Sequence, residues 1–252
     1  MNAYQIHRFS KTETSWTGDD MAVAKMVLGG KGAGLALMCR KGLPVPPGFT
    51  ITTDVCNQYR GLPEEAKDKF IDALMVEVDG HMQWLDAQFG YRPLVSVRSG
   101  APVSMPGMMD TILNVGLCSA NWKEWGERLG ARALHDTDRR LTQMLGATAY
   151  GVPAEVFEFQ LAKVKKAHKV EADTDLDVVG LSEVIDAYRK AFEENKGFKF
   201  PFDNPREQLR AAIQAVFDSW MNERAIEYRR LNGISEDMGT AVNVQAMVFG
   251  NT

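Results

Sequence analysis

The chain has 252 residues, 45% hydrophobic and 25% charged, which is the ordinary balance of a globular protein large enough to bury a substantial core. Its net charge of −4 provides no basic surface for duplex nucleic acid, so we expect no nucleic-acid partner. The sequence also predicts a cytoplasmic protein without a membrane partner, because its apolar runs are short, its N-terminal segment lacks a secretory core, and its three cysteines are isolated.

The first predicted element is a helix entered through a glycine turn. Four glycines between residues 29 and 34 surround Lys31, and an apolar helical pattern follows until Gly42. A glycine turn at a helix N-terminus presents backbone N–H groups and a positive dipole, both suited to phosphate. The spacing is not that of a Walker A loop. A glycine-rich cap with a solvated lysine is the alternative interpretation.

A proline-rich turn at residues 44–48 leads into a predicted strand at residues 49–53. A long helix is predicted over residues 64–89. The next strand, which contains Val95 and Val97, ends in Arg98 and a loop rich in glycine, serine and proline, and ordered structure resumes at Thr111. Arginine offers a rigid fork of donors that matches phosphate oxygens, and glycine lets backbone N–H groups approach an anion. An arginine at a strand end beside an ordinary surface loop would give the same pattern.

From residue 121 the pattern becomes helical and stays so until a linker at residues 197–205. A single long helix is predicted from residue 206 to about residue 232, with Leu209, Ile213, Val216, Phe217 and Trp220 as its buried stripe. The chain then forms a strand within residues 240–250, on which Gln245 faces away from Val244 and Ala246. An ordinary core strand explains this segment equally well.

Three strings carry a family resemblance. They are VSVRSGAPVSMPGMMDTILN at residues 95–114, LGGKGAGLALMCRKGLPVPPGFTITT at residues 28–53, and TAVNVQAMVFG at residues 240–250. In this order they closely resemble the nucleotide-binding domain of the pyruvate, phosphate dikinase family.

The resemblance implies an α+β fold, the first lobe of an ATP-grasp-type nucleotide-binding domain with a helical insertion. We expect residues 1–120 to form the mixed α/β first lobe, residues 121–205 the helical insertion, and residues 206–252 the return helix and hinge strand. In the family a last lobe supplies acidic Mg²⁺ ligands, and we expect that lobe to lie outside these 252 residues. The sequence therefore predicts no metal ligand within the chain, although ATP and Mg²⁺ are the expected cofactors.

The same resemblance assigns site residues. It implies that Lys31 and Arg98 bind the ATP phosphates and act as the catalytic cations, that Gly107 allows close backbone approach, and that Thr111 contributes a hydroxyl. It also implies an adenine edge, formed by Gln245, Met247 and Val248.

The family reaction converts ATP, phosphate and pyruvate into AMP, diphosphate and phosphoenolpyruvate through a phosphohistidine on a separate domain. None of the four histidines lies in a carrier motif, and no pyruvate site can be located. We therefore expect the chain to provide the ATP-binding part, to be inactive alone, and to require the remaining dikinase domains or a complementary chain. The alternatives are a fragment of a related phosphoenolpyruvate synthase or antibiotic phosphotransferase, and a short stand-alone protein that binds a nucleotide or a partner without catalysis.

Overall fold

The computed structural model describes residues 5–11 and 13–250. In this described part the strands are β1 (Ile6–Phe9), β2 (Gly48–Ile51), β3 (Val95–Gly100), β4 (Thr111–Val115) and β5 (Ala241–Ala246). The α-helices are α1 (Met21–Arg40), α2 (Thr53–Arg60), α3 (Glu64–Phe89), α4 (Trp122–Leu129), α5 (Ala131–Thr148), α6 (Ala154–His168), α7 (Val178–Lys196), α8 (Pro205–Ser219) and α9 (Glu223–Asn232). The predicted α+β class is confirmed.

The chain divides into two compact units. The first takes the described residues of Met1–Thr111 and Ile213–Met247, and the second takes those of Ile112–Ala212 and Val248–Thr252. Along the chain, β4 and α8 each begin in one unit and end in the other. The second unit therefore includes the predicted helical insertion at residues 121–205 and short flanking segments on either side of it.

Four strands form an antiparallel sheet within the first unit, in the order β1-β2-β5-β3. β5 lies between two neighbours, and all six of its residues are buried. Arg98 in β3 stands opposite Asn243 in β5, and Ser96 stands opposite Gln245. Directly opposed residues share a face of the sheet, so Arg98, Asn243 and Thr50 of β2 form one polar row across three strands.

Helix α1 covers the face of the sheet that carries this row. A Cβ added at Gly32 would lie 3.0 Å from the Thr50 side chain and 3.1 Å from the Asn243 amide oxygen, so the helix approaches the sheet closely. α1 consists of two helical stretches that meet at a break at Gly29, and the second stretch follows the glycine turn at which the sequence predicts a helix. The first stretch begins at Met21, where the Asp20 carboxylate accepts hydrogen bonds from two N–H groups of the first turn. α1 is long and apolar enough to span a membrane, but buried core helices pass that test as well, and its inner face is buried.

The second unit is helical from residue 119 to residue 200. Helix α5 packs on α4 and α7, and α7 packs on α6. Phe157 of α6 meets Tyr188 of α7 edge-on at a centroid distance of 5.0 Å, and both rings are buried. Between residue 121 and the start of β5, the described residues form helices and connecting turns.

The prediction of one return helix over residues 206–232 is wrong. α8 ends at Ser219, a tight turn follows, and α9 begins at Glu223. Trp220 is fully buried, and its carbonyl accepts a hydrogen bond from the Arg229 guanidinium, which also stacks over the indole at 4.1 Å. The Arg229 side chain, which lies in the following helix, occupies the Trp220 carbonyl and takes it out of the helical ladder, so a continuous helical pattern yields two helices.

Candidate functional site

Two glycine-containing segments meet in the first unit. Gly29 interrupts α1 with a φ of 69°, and a Cβ at this position would lie only 1.5 Å from the carbonyl oxygen of Gly100. The Gly30 N–H donates to the Ala101 carbonyl at 2.9 Å. Because only glycine combines a positive φ with such a close approach, the main chains of α1 and the segment after β3 are in direct contact.

Lys31 follows this contact and reaches across it. Its Nζ donates to the Ser99 carbonyl oxygen at 2.6 Å. Burial and, secondarily, the charge of nearby Arg98 lower the pKa of Lys31. Both effects disfavour the charged amine, and an anion placed beside it would offset them by attracting the positive charge.

Arg98 lies on the same face of the sheet as Gly100, the face that α1 covers. Its Nη2 donates to the Gln245 side-chain oxygen, whereas its Nε is buried and has no hydrogen-bond partner in the described part of the chain. Burial lowers the pKa of Arg98. A guanidinium with a buried, unused donor beside a second cation is an unusual arrangement unless an anion completes it.

A cavity of about 680 Å³ opens beside these groups. It is lined by Lys25, Gly30, Lys31, Thr111 and the residues from Ser99 to Gly107, together with Met109. None of the described residues that line it is acidic. The cavity thus combines two lysines, hydroxyl groups and glycine backbone without a compensating carboxylate, which favours an anionic ligand.

The loop after β3 is held in place by packing of its buried side chains. Ala101 and Met105 are buried in one cluster with Trp220 and Ala225, so the inner side of the loop is fixed by packing. Its outer part carries Gly107, which is exposed at a φ of 72° and has no atom within 4 Å of an added Cβ. The exposed backbone at this glycine is accessible to a ligand in the cavity.

The structure brings Lys31, Gly107 and Thr111 together on this one cavity. Arg98 is not among the lining residues but is close enough to influence Lys31 electrostatically. Lys25 and Ser99 also line the cavity, although the sequence patterns did not indicate them. Lys25 precedes the glycine turn, and no motif connects it to that turn.

Comparisons with known proteins show the family to which the chain belongs. The family described as "Pyruvate phosphate dikinase, AMP/ATP-binding domain" matches residues 25–79 and 64–252. The chain belongs to this family. Pyruvate, phosphate dikinase of Rhizobium meliloti (strain 1021) is 50% identical over 234 residues, which cover 89% of this chain and 25% of that protein. Pyruvate, phosphate dikinase 2 of Zea mays is 45% identical over 234 residues, which cover 90% of this chain and 26% of that protein.

A further relative is pyruvate, phosphate dikinase 1, chloroplastic, of Arabidopsis thaliana, which is 45% identical over 233 residues and 90% of this chain. The chain spans about a quarter of the length of these curated relatives. The predicted resemblance to the pyruvate, phosphate dikinase family is confirmed.

Three further residues assigned by resemblance to this dikinase family lie at the end of the chain. Gln245 is 6% exposed. Its side-chain oxygen accepts a hydrogen bond from Arg98, and its Nε2 donates one to the Pro46 carbonyl at 3.0 Å. The Met247 N–H donates to the Leu94 carbonyl at 2.8 Å, just beyond β5. Val248 is 71% exposed and belongs to the second unit.

The resemblance to the dikinase family implies Mg²⁺ as a cofactor together with ATP. Among the described residues, no three His, Cys, Asp or Glu side chains cluster in a way that could hold a metal ion. The positive charges beside the cavity come from lysine and arginine.

Proposed function

We propose that the cavity between α1 and the loop after β3 holds the phosphates of ATP in a pyruvate, phosphate dikinase. The observation that carries this proposal is the direct backbone contact of Gly29 with Gly100, which places two glycine segments and Lys31 beside one cavity free of described acidic side chains. The family's description as an AMP/ATP-binding domain supports the choice of nucleotide.

Each residue then has a distinct role toward the phosphates. Lys31 and Arg98 neutralise phosphate charge, and Gly107 allows the ligand to approach the backbone. Thr111 donates its hydroxyl to a phosphate oxygen. Because burial lowers the pKa values of both cations, an anion relieves an unfavourable electrostatic state rather than merely adding to a solvated pair. For phosphoryl transfer, such fixed positive charge stabilises the transition state.

For the adenine, Met247 and Val248 stay the proposed edge, whereas the Gln245 amide is already engaged by Arg98 at one end and by the Pro46 carbonyl at the other. The Met247 N–H is already used by Leu94, so this proposal relies on the Met247 carbonyl and the Val248 backbone for base recognition.

We further propose that the complete protein catalyses the dikinase reaction, using ATP, phosphate and pyruvate in the cytoplasm through a phosphohistidine. The relatives named for this activity are about four times as long as the chain. The other dikinase domains are its expected partners, and Mg²⁺ is expected to be bound by residues of those domains. We expect the 252-residue polypeptide, assayed alone, to bind ATP weakly and to form no phosphoenolpyruvate.

The test is an NMR titration of the 252-residue protein with ATP, with and without Mg²⁺, beside Lys31→Ala and Arg98→Ala. Each variant removes a charge-assisted contact, so we expect the affinity to fall about tenfold or more. Lys69→Ala is the matched control, because Lys69 is exposed on α3 away from the cavity lining. Unchanged affinity in both site variants, with intact folding by circular dichroism, would reject the proposal.

A further inference from the structure

Gln245 is held at both ends of its amide. Its Oε1 accepts a hydrogen bond from Nη2 of Arg98, and its Nε2 donates to the Pro46 carbonyl oxygen at 3.0 Å. The residue is 6% exposed, and it lies in the buried central strand β5. The side chain therefore connects the arginine to the proline-rich turn before β2.

These two partners define the orientation of the amide. If the amide were reversed, its NH₂ group would face the donors of Arg98, and its oxygen would face the Pro46 carbonyl. Both contacts would become repulsive. A carbonyl at one end and a guanidinium at the other thus leave one stable orientation, with the oxygen toward Arg98.

The proline-rich turn is itself fixed against β5. The Ala246 N–H donates to the Pro47 carbonyl at 2.9 Å, and Gly48 pairs with Gln245 in the sheet. A Cβ at Gly48 would lie 2.3 Å from the Val244 carbonyl oxygen, so only glycine allows this approach. The acceptor that orients Gln245 is therefore part of a rigid segment.

We infer that Gln245 is a positioning residue that holds the Arg98 guanidinium in place for the nucleotide phosphates. This inference rests on the proposed phosphate-binding function of Arg98. A glutamine oxygen fixes one N–H of the guanidinium and leaves its positive charge uncompensated, whereas a glutamate would form an ion pair and compete with phosphate. The Nε of Arg98 is buried and has no hydrogen-bond partner among the described residues, so it is available to a further acceptor.

The experiment compares Gln245→Leu and Gln245→Glu with Arg98→Ala and with the double variant Gln245→Leu/Arg98→Ala, all in the 252-residue protein. ATP and adenosine are titrated by NMR, and thermal unfolding verifies that each variant is folded. Gln88→Leu is the matched control, because Gln88 is an exposed glutamine on α3.

We expect Gln245→Leu to weaken ATP binding about tenfold, because the guanidinium loses its fixed position. In the Arg98→Ala background the same substitution should change ATP affinity less than twofold, since Gln245 acts through Arg98. Gln245→Glu should also weaken ATP binding, by neutralising the arginine. Adenosine, which has no phosphate, should bind all variants alike.

If Gln245→Leu and Arg98→Ala reduced ATP affinity independently, so that their effects multiplied in the double variant, the inference would be overturned. A loss of adenosine affinity in Gln245→Leu would also overturn it, because that loss would indicate a contact with the base. If Gln245→Leu does not fold, unchanged ATP affinity in Gln245→Glu overturns it. These outcomes differ from failure of the proposed function, in which Arg98→Ala itself leaves ATP affinity unchanged.

Discussion

Gly29 is the residue whose replacement has the clearest expected effect. Gly29→Ala should destabilise the first unit by about 3 kcal/mol or more, because the added Cβ meets the Gly100 carbonyl and the positive φ is strained for alanine. Gly34→Ala is the control: Gly34 lies in the same helix with nothing within 4 Å of an added Cβ, so we expect a gain of about 0.5–1 kcal/mol. Urea unfolding measures both. Equal stability of the two variants would contradict the close contact.

We expect Lys31 to make ATP binding dependent on pH. Its amine is cationic below its pKa, only the cation attracts phosphate, and burial with nearby Arg98 lowers that pKa. Affinity should therefore be complete at the lower pH and be lost as the pH rises through the lowered pKa, before an ordinary lysine would titrate. Titrations between about pH 7 and pH 10 would detect this fall. Lys31→Arg stays charged over this range and should flatten the profile. An identical fall in Lys31→Arg would assign the effect to another group.

The residues of the candidate site were predictable to different degrees. Lys31 and Arg98 stand in recognisable surroundings, a glycine turn and a strand end, and the structure places them near each other. Their binding roles stay predictions. The engagement of Gln245 with Pro46 was not predictable, because it depends on the pairing of β2 with β5 across nearly 200 residues of sequence.

At the scale of elements, one of the contacts between α3 and β1 requires a neutral histidine. Arg8 Nε in β1 donates to Nδ1 of His81 in α3 at 3.0 Å. Burial and the neighbouring charge of Arg8 lower the pKa of His81 to about 4. The imidazole therefore stays neutral in the folded protein over a pH range in which it is protonated in the unfolded chain.

This difference predicts an acid-sensitive first unit. Stability should be complete above the unfolded pKa of about 6.5 and fall as the pH decreases toward the folded value, by about 1 kcal/mol between pH 7 and pH 5 after allowance for solvent screening. Urea unfolding at the two pH values measures the change. His81→Gln should reduce it, while His7, whose pKa is also lowered by burial, keeps part of it. If stability fell more steeply between pH 7 and pH 5 in His81→Gln than in the unchanged protein, the assignment of the effect to His81 would be contradicted.

Elements were predicted well where one local signal dominates. The helix expected at residues 64–89 is α3, Glu64–Phe89, which ends at Gly90 in the left-handed conformation. The return helix was not predictable as two pieces, because its division depends on a three-dimensional contact between the buried Trp220 and the Arg229 side chain of the following helix. Periodicity reports which residues are apolar, but it does not report which carbonyl leaves the helical ladder.

For the whole molecule, protection by the phosphates of the ligand should be confined to the first unit. Saturating ATP should slow amide hydrogen exchange at residues 29–32 and 99–107, because the proposed phosphate contacts lie there, and should leave α5 and α7 unchanged. Mass spectrometry of peptides from the two units measures this. Protection centred on α5 and α7 would move the nucleotide site to the second unit.

The break in α1 also has a geometric consequence for the two lysines of the cavity. In a continuous α-helix, residues six positions apart point about 120° away from each other around the axis. Lys25 and Lys31 nevertheless line the same cavity, because the chain changes direction at Gly29 between them. The cavity thus depends on a rotational offset within one helix, and inserting a single residue between Lys25 and Gly29 would turn Lys25 by about 100° while leaving Lys31 in place.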